Sequence, residues 1–173
     1  MESLGKIIII ALVVIVMGYF PISAMLNNQD EISQMKASSA LTTFINDILS
    51  TRQLTTTRHA NFMSEIATTG LAYNLELEHK KLDENYGKKG QQVNLNIVGE
   101  RSYYTVYTVQ ILEQLNEATD DAGIGVYFLK QNDLFSGQLV NTSKTAGEVM
   151  QQFLFRNEST ARRIVASHGG MVP

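Results

Sequence analysis

The chain has 173 residues and a mass of 19.3 kDa, which allows one compact domain and an accessory segment but not two large domains. A net charge of −3 provides no basic surface for nucleic acid, and the lack of cysteine excludes disulfides, thiolate metal sites and cysteine catalysis. Only 18% of the residues are charged, against roughly 25% in an ordinary soluble domain, because one stretch near the N-terminus carries no charge.

That stretch, residues 7–26, reads IIIIALVVIVMGYFPISAML. As a helix it spans about 30 Å, the thickness of the hydrocarbon core of a bilayer. We therefore predict that residues 1–26 are a transmembrane anchor with a short flank. Pro21 lacks a backbone donor and follows Gly18, which predicts a kink at this level. The side chains expected to contact lipid or the membrane interface are Ile7, Ile10, Val13, Val16, Tyr19, Phe20 and Leu26.

The charges that flank the segment predict its orientation. The α-amino group, Glu2 and Lys6 lie on the N-terminal side, whereas Asp30 and Glu31 are the first charges on the far side and its first positive charge is Lys36. By the positive-inside rule we expect a single-pass protein of the cell membrane, with a cytoplasmic N-terminus and residues 27–173 outside the cytoplasm. A cleaved signal peptide ending near Ala24 is the alternative, but the start is barely positive and the apolar stretch is long.

The remaining sequence predicts an α+β head, in which the anchor helix continues as an amphipathic helix packed on a small, mostly antiparallel sheet. Val109 and Val149 are among the residues expected to face its core, and Gly169-Gly170 is expected to follow the last strand. In chain order the predicted elements are helices over 3–51 and 56–68, strands over 73–80 and 93–97, a helix over 104–118, a hairpin of strands over 125–130 and 134–141, a helix over 145–155 and a strand over 161–167.

Several short segments are similar to those of a known class of protein. They include Phe44-Ile45-Asn46-Asp47, Ala67-Thr68-Thr69-Gly70, Tyr73-Asn74-Leu75-Glu76-Leu77-Glu78-His79, Asn132-Asp133-Leu134-Phe135-Ser136 and Gly169-Gly170-Met171-Val172. Together with the kinked apolar helix, they resemble type IV pilin-like proteins. The detail is closest to small membrane-anchored pilin-like proteins of the tight-adherence (Tad-like) type, found in Gram-positive bacteria and their mobile elements. The resemblance implies a pilin-like fold and a role in a surface appendage.

The sequence departs from that class at the processing site. Pilins that join a filament typically carry a glycine before an apolar or aromatic residue, with glutamate at the fifth mature position. Here Gly5 is followed by Lys6, and the fifth residue after it is Ile10. This departure argues against cleavage and assembly as a major filament subunit, and it leaves open an uncleaved accessory component.

Few residues suggest chemistry. Glu76 and Glu78 share one face of a predicted strand, where paired carboxylates can exchange protons or hold a cation, although a solvated strand face explains them better. His59, His79 and His168 lack the spacing of a helical metal pair. The remaining candidates are residues 87–90 (GKKG) as a phosphate loop, and Asp120-Asp121 with Asn132-Asp133 as calcium ligands, and both match their motifs poorly. We therefore predict no catalytic residues, no cofactor and no metal.

One group of residues suggests a contact surface. Tyr103, Tyr104 and Tyr107 cluster beside Arg101 at the start of a predicted helix. Tyrosine and arginine are favoured at protein interfaces, although core packing with partial exposure explains the cluster equally well.

The sequence thus predicts a structural, membrane-anchored, pilin-like component of a surface appendage, adhesion apparatus or conjugation and secretion apparatus. The expected partners are membrane lipid and other pilin-like or membrane subunits, including further copies of the chain, with no nucleic acid and no small-molecule substrate. The alternatives are an anchored ligand-binding or sensor module that works through a partner, and an anchored hydrolase with a deep pocket at Glu76, Glu78 or His168.

Overall fold

The computed structural model describes residues 2–82, 103–118, 123–145, 148–149, 152 and 163–173. It has the predicted α+β class, with a long N-terminal apolar helix and a small antiparallel sheet. The described elements are α1 (Glu2–Thr51), β1 (Gln53–Thr55), α2 (Thr56–Ala67), β2 (Tyr73–Leu82), β3 (Tyr103–Tyr107), α3 (Thr108–Glu117), β4 (Val126–Phe128), β5 (Leu134–Asn141) and β6 (Arg163–Met171).

Four of the described strands form one antiparallel sheet in the order β3–β2–β5–β6, and β1 pairs with β4 in a separate two-stranded sheet. Successive side chains of a strand point to opposite faces. In β2 this places Leu75, Leu77 and His79 on a buried inner face, and it places Glu76 and Glu78 on the outer face. The predicted alternation of this strand is confirmed.

The second half of α1 covers the inner face of the sheet, where it contacts β5 and β6. Its fully buried side chains include Leu41, Ile45 and Ile48, and each such burial contributes about 1.5–3 kcal/mol. The helix approaches closely because β5 has Gly137 beneath it: a Cβ there would lie 2.9 Å from the Ile45 Cδ1 atom. The side-chain oxygen of Asn46 also accepts a hydrogen bond from the His168 ring on β6, at 2.9 Å.

The helix α2 packs on α1 and adds Phe62 and Ile66 to the core. Thr55 caps its N-terminus, since the Thr55 hydroxyl oxygen accepts a hydrogen bond from the Arg58 amide at 3.2 Å. Phe62 stacks on Phe44 of α1 with ring centroids 4.3 Å apart. The chain leaves the helix through Gly70, whose φ of 77° lies in the left-handed region that favours glycine.

The predicted helix over 104–118 is wrong in its first part. Residues Tyr103–Tyr107 form β3, which pairs with β2, and the helix α3 begins only at Thr108. Tyrosine, threonine and valine favour strands, and pairing with β2 is available to them. The buried face of α3 also differs from the predicted one: Ile111 and Leu115 are buried, whereas Val109 is 67% exposed instead of lying in the core.

The predicted hairpin over 125–141 is also wrong. Although β4 and β5 are neighbours in sequence, β4 pairs with β1 and β5 pairs with β2 and β6. The connection turns at Asn132, whose φ is 68°. Asparagine tolerates this conformation better than most residues. The backbone of Asn132 and Asp133 exchanges hydrogen bonds with Val172, which fixes the last strand beside the turn.

The last strand is longer than predicted, since β6 continues through Gly169 and Gly170 to Met171. These glycines lie within the strand, and close packing explains why they are glycines. A Cβ on Gly169 would lie 2.5 Å from the Ser136 Cβ, and one on Gly170 would lie 2.9 Å from the Leu49 Cδ1.

Two other predictions lie partly or wholly outside the described residues. The predicted strand over 93–97 is one of them. For the helix over 145–155, the predicted capping box is confirmed by hydrogen bonds from the Glu148 amide to the Thr145 hydroxyl and from the Thr145 amide to the Glu148 carboxylate, at 3.2 and 3.1 Å. Val149 is 52% exposed, so its expected inward position is wrong.

Candidate functional site

The first half of α1 presents apolar side chains on all sides. Ile7, Ile10 and Phe20 are 65%, 63% and 65% exposed. Val13 and Val16 are also exposed, while Tyr19 and Leu26 are half-buried. By length and composition this described helix could cross a membrane, and none of its most apolar stretch is buried. The predicted anchor residues therefore form one continuous apolar surface, which is compatible with a single-pass membrane protein.

Gly18 and Pro21 lie inside this surface. The helix is a single element from Glu2 to Thr51 that includes Pro21. A Cβ on Gly18 would meet no atom within 4 Å, so no described residue occupies the space beside it. The kink at this level stays a prediction, and Gly18 offers a flat patch for whatever contacts the helix there.

A groove of about 730 Å³ lies where α1 leaves the head, in the angle between α1 and the C-terminal end of α2. We call it the corner groove. Its α1 side is one helical stripe, and its α2 side is the chain at the helix end. The residues that line it are Pro21, Ala24, Met25, Asn28, Gln29, Ile32, Ser33 and Lys36 from α1, with Thr68 and Thr69 from the end of α2. No sequence pattern marks this groove, because α2 and α1 come together only in the folded chain.

The predicted tyrosine interface is divided between two faces of the sheet. Tyr103, Tyr104 and Tyr107 lie on the strand β3, not at the start of a helix as predicted, and Arg101 lies outside the described residues. Strand alternation places Tyr103 and Tyr107 on the outer face and Tyr104 on the inner side. Tyr104 is 50% and Tyr107 62% exposed. The cluster therefore offers aromatic surface on either side of one strand, and its role as an interface stays a prediction.

The outer face of the sheet carries a shallow polar groove of about 330 Å³ beside Tyr107. Glu76 and Glu78 both line it, as their shared face predicts. Both carboxylates have neighbours: Glu76 accepts hydrogen bonds from the Gln138 and Asn74 amides at 2.6 and 3.3 Å, and Glu78 lies 3.4 Å from the Lys80 ammonium. Such contacts are typical of a solvated strand face, and they do not require a substrate or a cation.

A buried polar cluster lies at the end of the inner face, where β2 meets β4. The His79 ring is fully buried, and its Nδ1 atom lies 2.7 Å from the Tyr127 hydroxyl while its Nε2 atom lies 2.9 Å from Asp133 Oδ2. A neutral ring satisfies both contacts, because Tyr127 donates to Nδ1 and the Nε2 proton is donated to the carboxylate. Asp133 also accepts hydrogen bonds from the Leu82 and Lys130 amides, both at 2.9 Å.

Electrostatics favour the neutral form of this ring. Burial lowers the pKa of His79, and its contact with Asp133 opposes that shift only in part. Burial also raises the pKa of Tyr127 and lowers the pKa of Lys81, whose ammonium lies 5.0 Å above the Tyr127 ring. The cluster connects β2, β4 and the turn before β5. Since His79, Tyr127 and Asp133 are all enclosed, it can hold the fold together but has no surface for a substrate.

This cluster is the main feature that no sequence pattern indicates. Its members come from positions 48 and 54 residues apart, and no local motif links them. The three histidines are not brought together: His59 lies on α2, His79 in the core and His168 beside Asn46. Burial also lowers the pKa of His59. In the part of the chain that the structure describes, no three histidine, aspartate or glutamate side chains form a group that could hold a metal ion. Residues 87–90 and 120–121 lie outside that part.

The chain matches no model of a known protein family, and neither its sequence nor its fold matches a curated protein or a solved structure. Its function must therefore be inferred from the geometry of the described residues.

Proposed function

We propose that this protein is a single-pass, membrane-anchored, pilin-like structural component of a surface appendage, adhesion apparatus or transfer apparatus. In this proposal the first half of α1 is its anchor, the N-terminus is cytoplasmic, and the head acts by protein–protein contact. Other proteins supply the force or the export.

One observation carries the proposal: a single uninterrupted helix is exposed and apolar in its first half and forms the core of the head in its second half. Keeping each large apolar side chain out of water is worth about 1.5–3 kcal/mol. The surface from Ile7 to Met25 therefore requires a cover of lipid or of other apolar helices. Because the helix has no loop between its halves, whatever holds the first half also sets the position of the head.

The polar clusters of the described residues support a structural role. Asp133 and His79 are committed to the interior, and Glu76 is engaged by Gln138 and Asn74. The described surface instead offers contact residues, with Tyr104, Tyr107 and Phe128 at 50%, 62% and 70% exposure. Aromatic residues of this kind are enriched where proteins bind one another.

Membrane topology is tested with single cysteines, which is straightforward because the natural chain has none. The full chain with Thr142→Cys should react with a membrane-impermeant maleimide on intact cells. Ser3→Cys, which is also exposed, should react only after the membrane is permeabilised. Labelling of both sites on intact cells would contradict the anchor, and the reverse pattern would contradict the orientation.

Assembly is tested by intact mass, shearing and crosslinking. Full-length protein confined to the membrane supports an uncleaved accessory component, whereas protein trimmed after Gly5 in sheared filaments would make it a major pilin. A photo-crosslinking residue at Tyr107 should capture another subunit, with the same residue at Thr142 as the matched control. If no crosslink forms and deletion leaves every appendage and transfer phenotype intact, the structural role is wrong.

A further inference from the structure

The corner groove lies at a defined height on α1. The Ser33 hydroxyl lies 3.5 Å from the Thr69 carbonyl oxygen, so the end of α2 stands beside Ser33. From Leu26, the last residue of the apolar segment, to Ser33 the helix rises about 10 Å. The headgroup layer on one side of a bilayer is about 5–7 Å thick. If residues 7–26 span the membrane, the lower edge of the head stands at the outer limit of the headgroups.

The lining of the groove changes character along the same direction. Pro21, Ala24 and Met25 lie on the membrane side, and Asn28, Gln29 and Lys36 follow on the head side. These residues continue the stripe of α1 that enters the core at Ser33 and Ala37. Apart from Ile32, which lies between Gln29 and Lys36, the order is apolar below and polar above, which is the order of acyl chain and headgroup in a phospholipid.

The polar residues of the groove have hydrogen-bond donors to offer. In the described part of the chain, the amides of Asn28 and Gln29 and the ammonium of Lys36 have no hydrogen-bond or ion-pair partner. The hydroxyls of Thr68 and Thr69 donate instead to the carbonyls of Glu65 and Ile66 at the end of α2. The available donors therefore all lie on the α1 stripe, facing the groove.

We infer that the corner groove is occupied by phospholipid headgroups of the leaflet on the head side, whose phosphate oxygens accept hydrogen bonds from Asn28, Gln29 and Lys36. The head then rests on the membrane surface instead of standing clear of it. This inference depends on the proposed anchoring of residues 7–26. It adds a ligand class, a site and a position for the head relative to the membrane.

The nearby charges specify which headgroups suffice. Lys36 adds a positive charge to the groove, while Asp30 and Glu31 lie on neighbouring faces of the same helix. The acidic pair offsets attraction to a negatively charged membrane. Zwitterionic phosphatidylcholine therefore supplies all that the site needs, and the contact should depend little on salt, since surface attraction is screened within about 8 Å at physiological ionic strength.

The test uses the full chain in phosphatidylcholine nanodiscs, with a fluorophore on one introduced cysteine and spin-labelled lipids as quenchers. Thr68→Cys places the fluorophore at the groove. Gln131→Cys is the matched exposed control at the far end of the head, because Leu129 bonds to Arg52 about 28 Å further along α1. Val16→Cys reports on the bilayer centre. We expect lipid labelled on its headgroup to quench Thr68→Cys several-fold more strongly than Gln131→Cys.

The outcomes separate this inference from the proposed function. If lipid labelled deep in its acyl chain quenches Val16→Cys while Thr68→Cys behaves like Gln131→Cys, the anchor stands and the headgroup site is wrong. If Val16→Cys is not quenched, both are wrong. Excitation transfer between copies labelled at Thr68, without headgroup quenching, would assign the groove to a second copy of the chain and overturn the inference.

A second variant tests the donors themselves. Replacing Asn28, Gln29 and Lys36 together by alanine should lower headgroup quenching at Thr68→Cys to the level given by freely exchanging lipid, while the Val16→Cys signal is unchanged because the anchored helix keeps the head at the same height. The control replaces Asn27 and Glu31 on the other faces of the same turns and should leave quenching as it was. Full quenching in the triple variant would overturn the assignment of these donors.

Discussion

In the first half of α1, isoleucine side chains such as Ile9 and Ile15 are 64% and 69% exposed, whereas in the second half Leu41 and Ile45 are completely buried. The two halves have similar apolar residues and belong to one helix, so local helix formation does not distinguish them. They differ in pattern: the first half is apolar on every face, and the second has one apolar stripe opposite polar residues such as Asp47. The first half of α1 therefore needs an apolar environment on all sides, whereas the second half needs only one apolar surface to pack on.

The sharpest way to separate the halves is to place the same charge in each. Leu41→Asp buries an unpaired carboxylate in the core and should cost the head about 4 kcal/mol or more. Val16→Asp should leave the head folded and instead cost about 3 kcal/mol of membrane insertion. Thermal unfolding followed by near-ultraviolet circular dichroism, and carbonate extraction of membranes, measure the two effects. Loss of head stability in Val16→Asp would contradict the division.

Glycine provides a matched pair across the same boundary. Gly137→Ala should destabilise the head by about 1–3 kcal/mol, because the new methyl group would lie 2.9 Å from the Ile45 Cδ1 atom beneath α1. Gly18→Ala meets open space and should favour the helix by up to about 1 kcal/mol without affecting the head. Urea unfolding of the detergent-solubilised chain measures the stability of the head, which should fall in Gly137→Ala and stay unchanged in Gly18→Ala. Equal effects at the two positions would show that α1 and β5 pack loosely enough to admit a methyl group between them.

Lowering the pH should destabilise the head and leave membrane retention unchanged. The pKa of His79 is lowered by burial in the folded chain, while the unfolded chain keeps a value of about 6.5. Above that pH both states are neutral at His79. Below it the unfolded state takes up a proton that the folded state resists, so stability should fall as the pH drops through about 6 and beyond. Residues 7–26 contain no histidine, so membrane retention should stay constant.

The variant His79→Gln should flatten this dependence, measured as the change in unfolding midpoint between neutral and mildly acidic buffer. His59, whose pKa is lowered in the same direction, contributes a share that His59→Gln removes separately. A slope that His79→Gln leaves unchanged would show that the buried cluster does not respond to protons.

The smallest expected effect is at the surface contact between α1 and α2. Arg58 Nε lies 2.8 Å from the Asp47 carboxylate, and the two side chains are 28% and 48% exposed. Asp47→Asn should cost no more than about 1 kcal/mol, and the cost should disappear in high salt. Unfolding at low and at high ionic strength measures it, with Asp30→Asn as the charge-matched control. A cost of several kcal/mol that salt does not reduce would mean that this pair, and not the apolar stripe, holds α2 to α1.

The sequence predicts the elements that depend on local pattern. The α1, α2 and β2 elements follow from helical or alternating spacing, and their bounds agree closely with the structure. The errors lie where distant pairing decides. The spacing of Leu112 and Leu115 suggests a helix that would include residues 104–107, but these residues form a strand because they pair with β2. The strand β4 lies next to β5 in sequence, but it pairs with β1, which begins at Gln53, and so belongs to the two-stranded sheet.

The functional features also divide into those that a local sequence pattern predicts and those that depend on contacts between distant residues. The apolar anchor surface is predictable because every residue of 7–26 carries the signal. The His79, Tyr127 and Asp133 cluster is not, since three separate elements must meet before the ring has partners. The corner groove is likewise absent from any local pattern, because its walls are α1 and the end of α2.

The direction of α1 relative to β6 has a mechanical consequence. Asn46 contacts His168 and Leu49 faces Gly170, so the helix and the strand advance side by side in the same sense. Traction on the anchor along its axis would slide α1 past the strand and strain the whole row of side chains together, whereas a sideways pull would peel them apart one after another. Optical-tweezer extension along the two directions should give a higher rupture force for the axial pull. A protein tethered in this way resists tension best in the direction in which its own helix points.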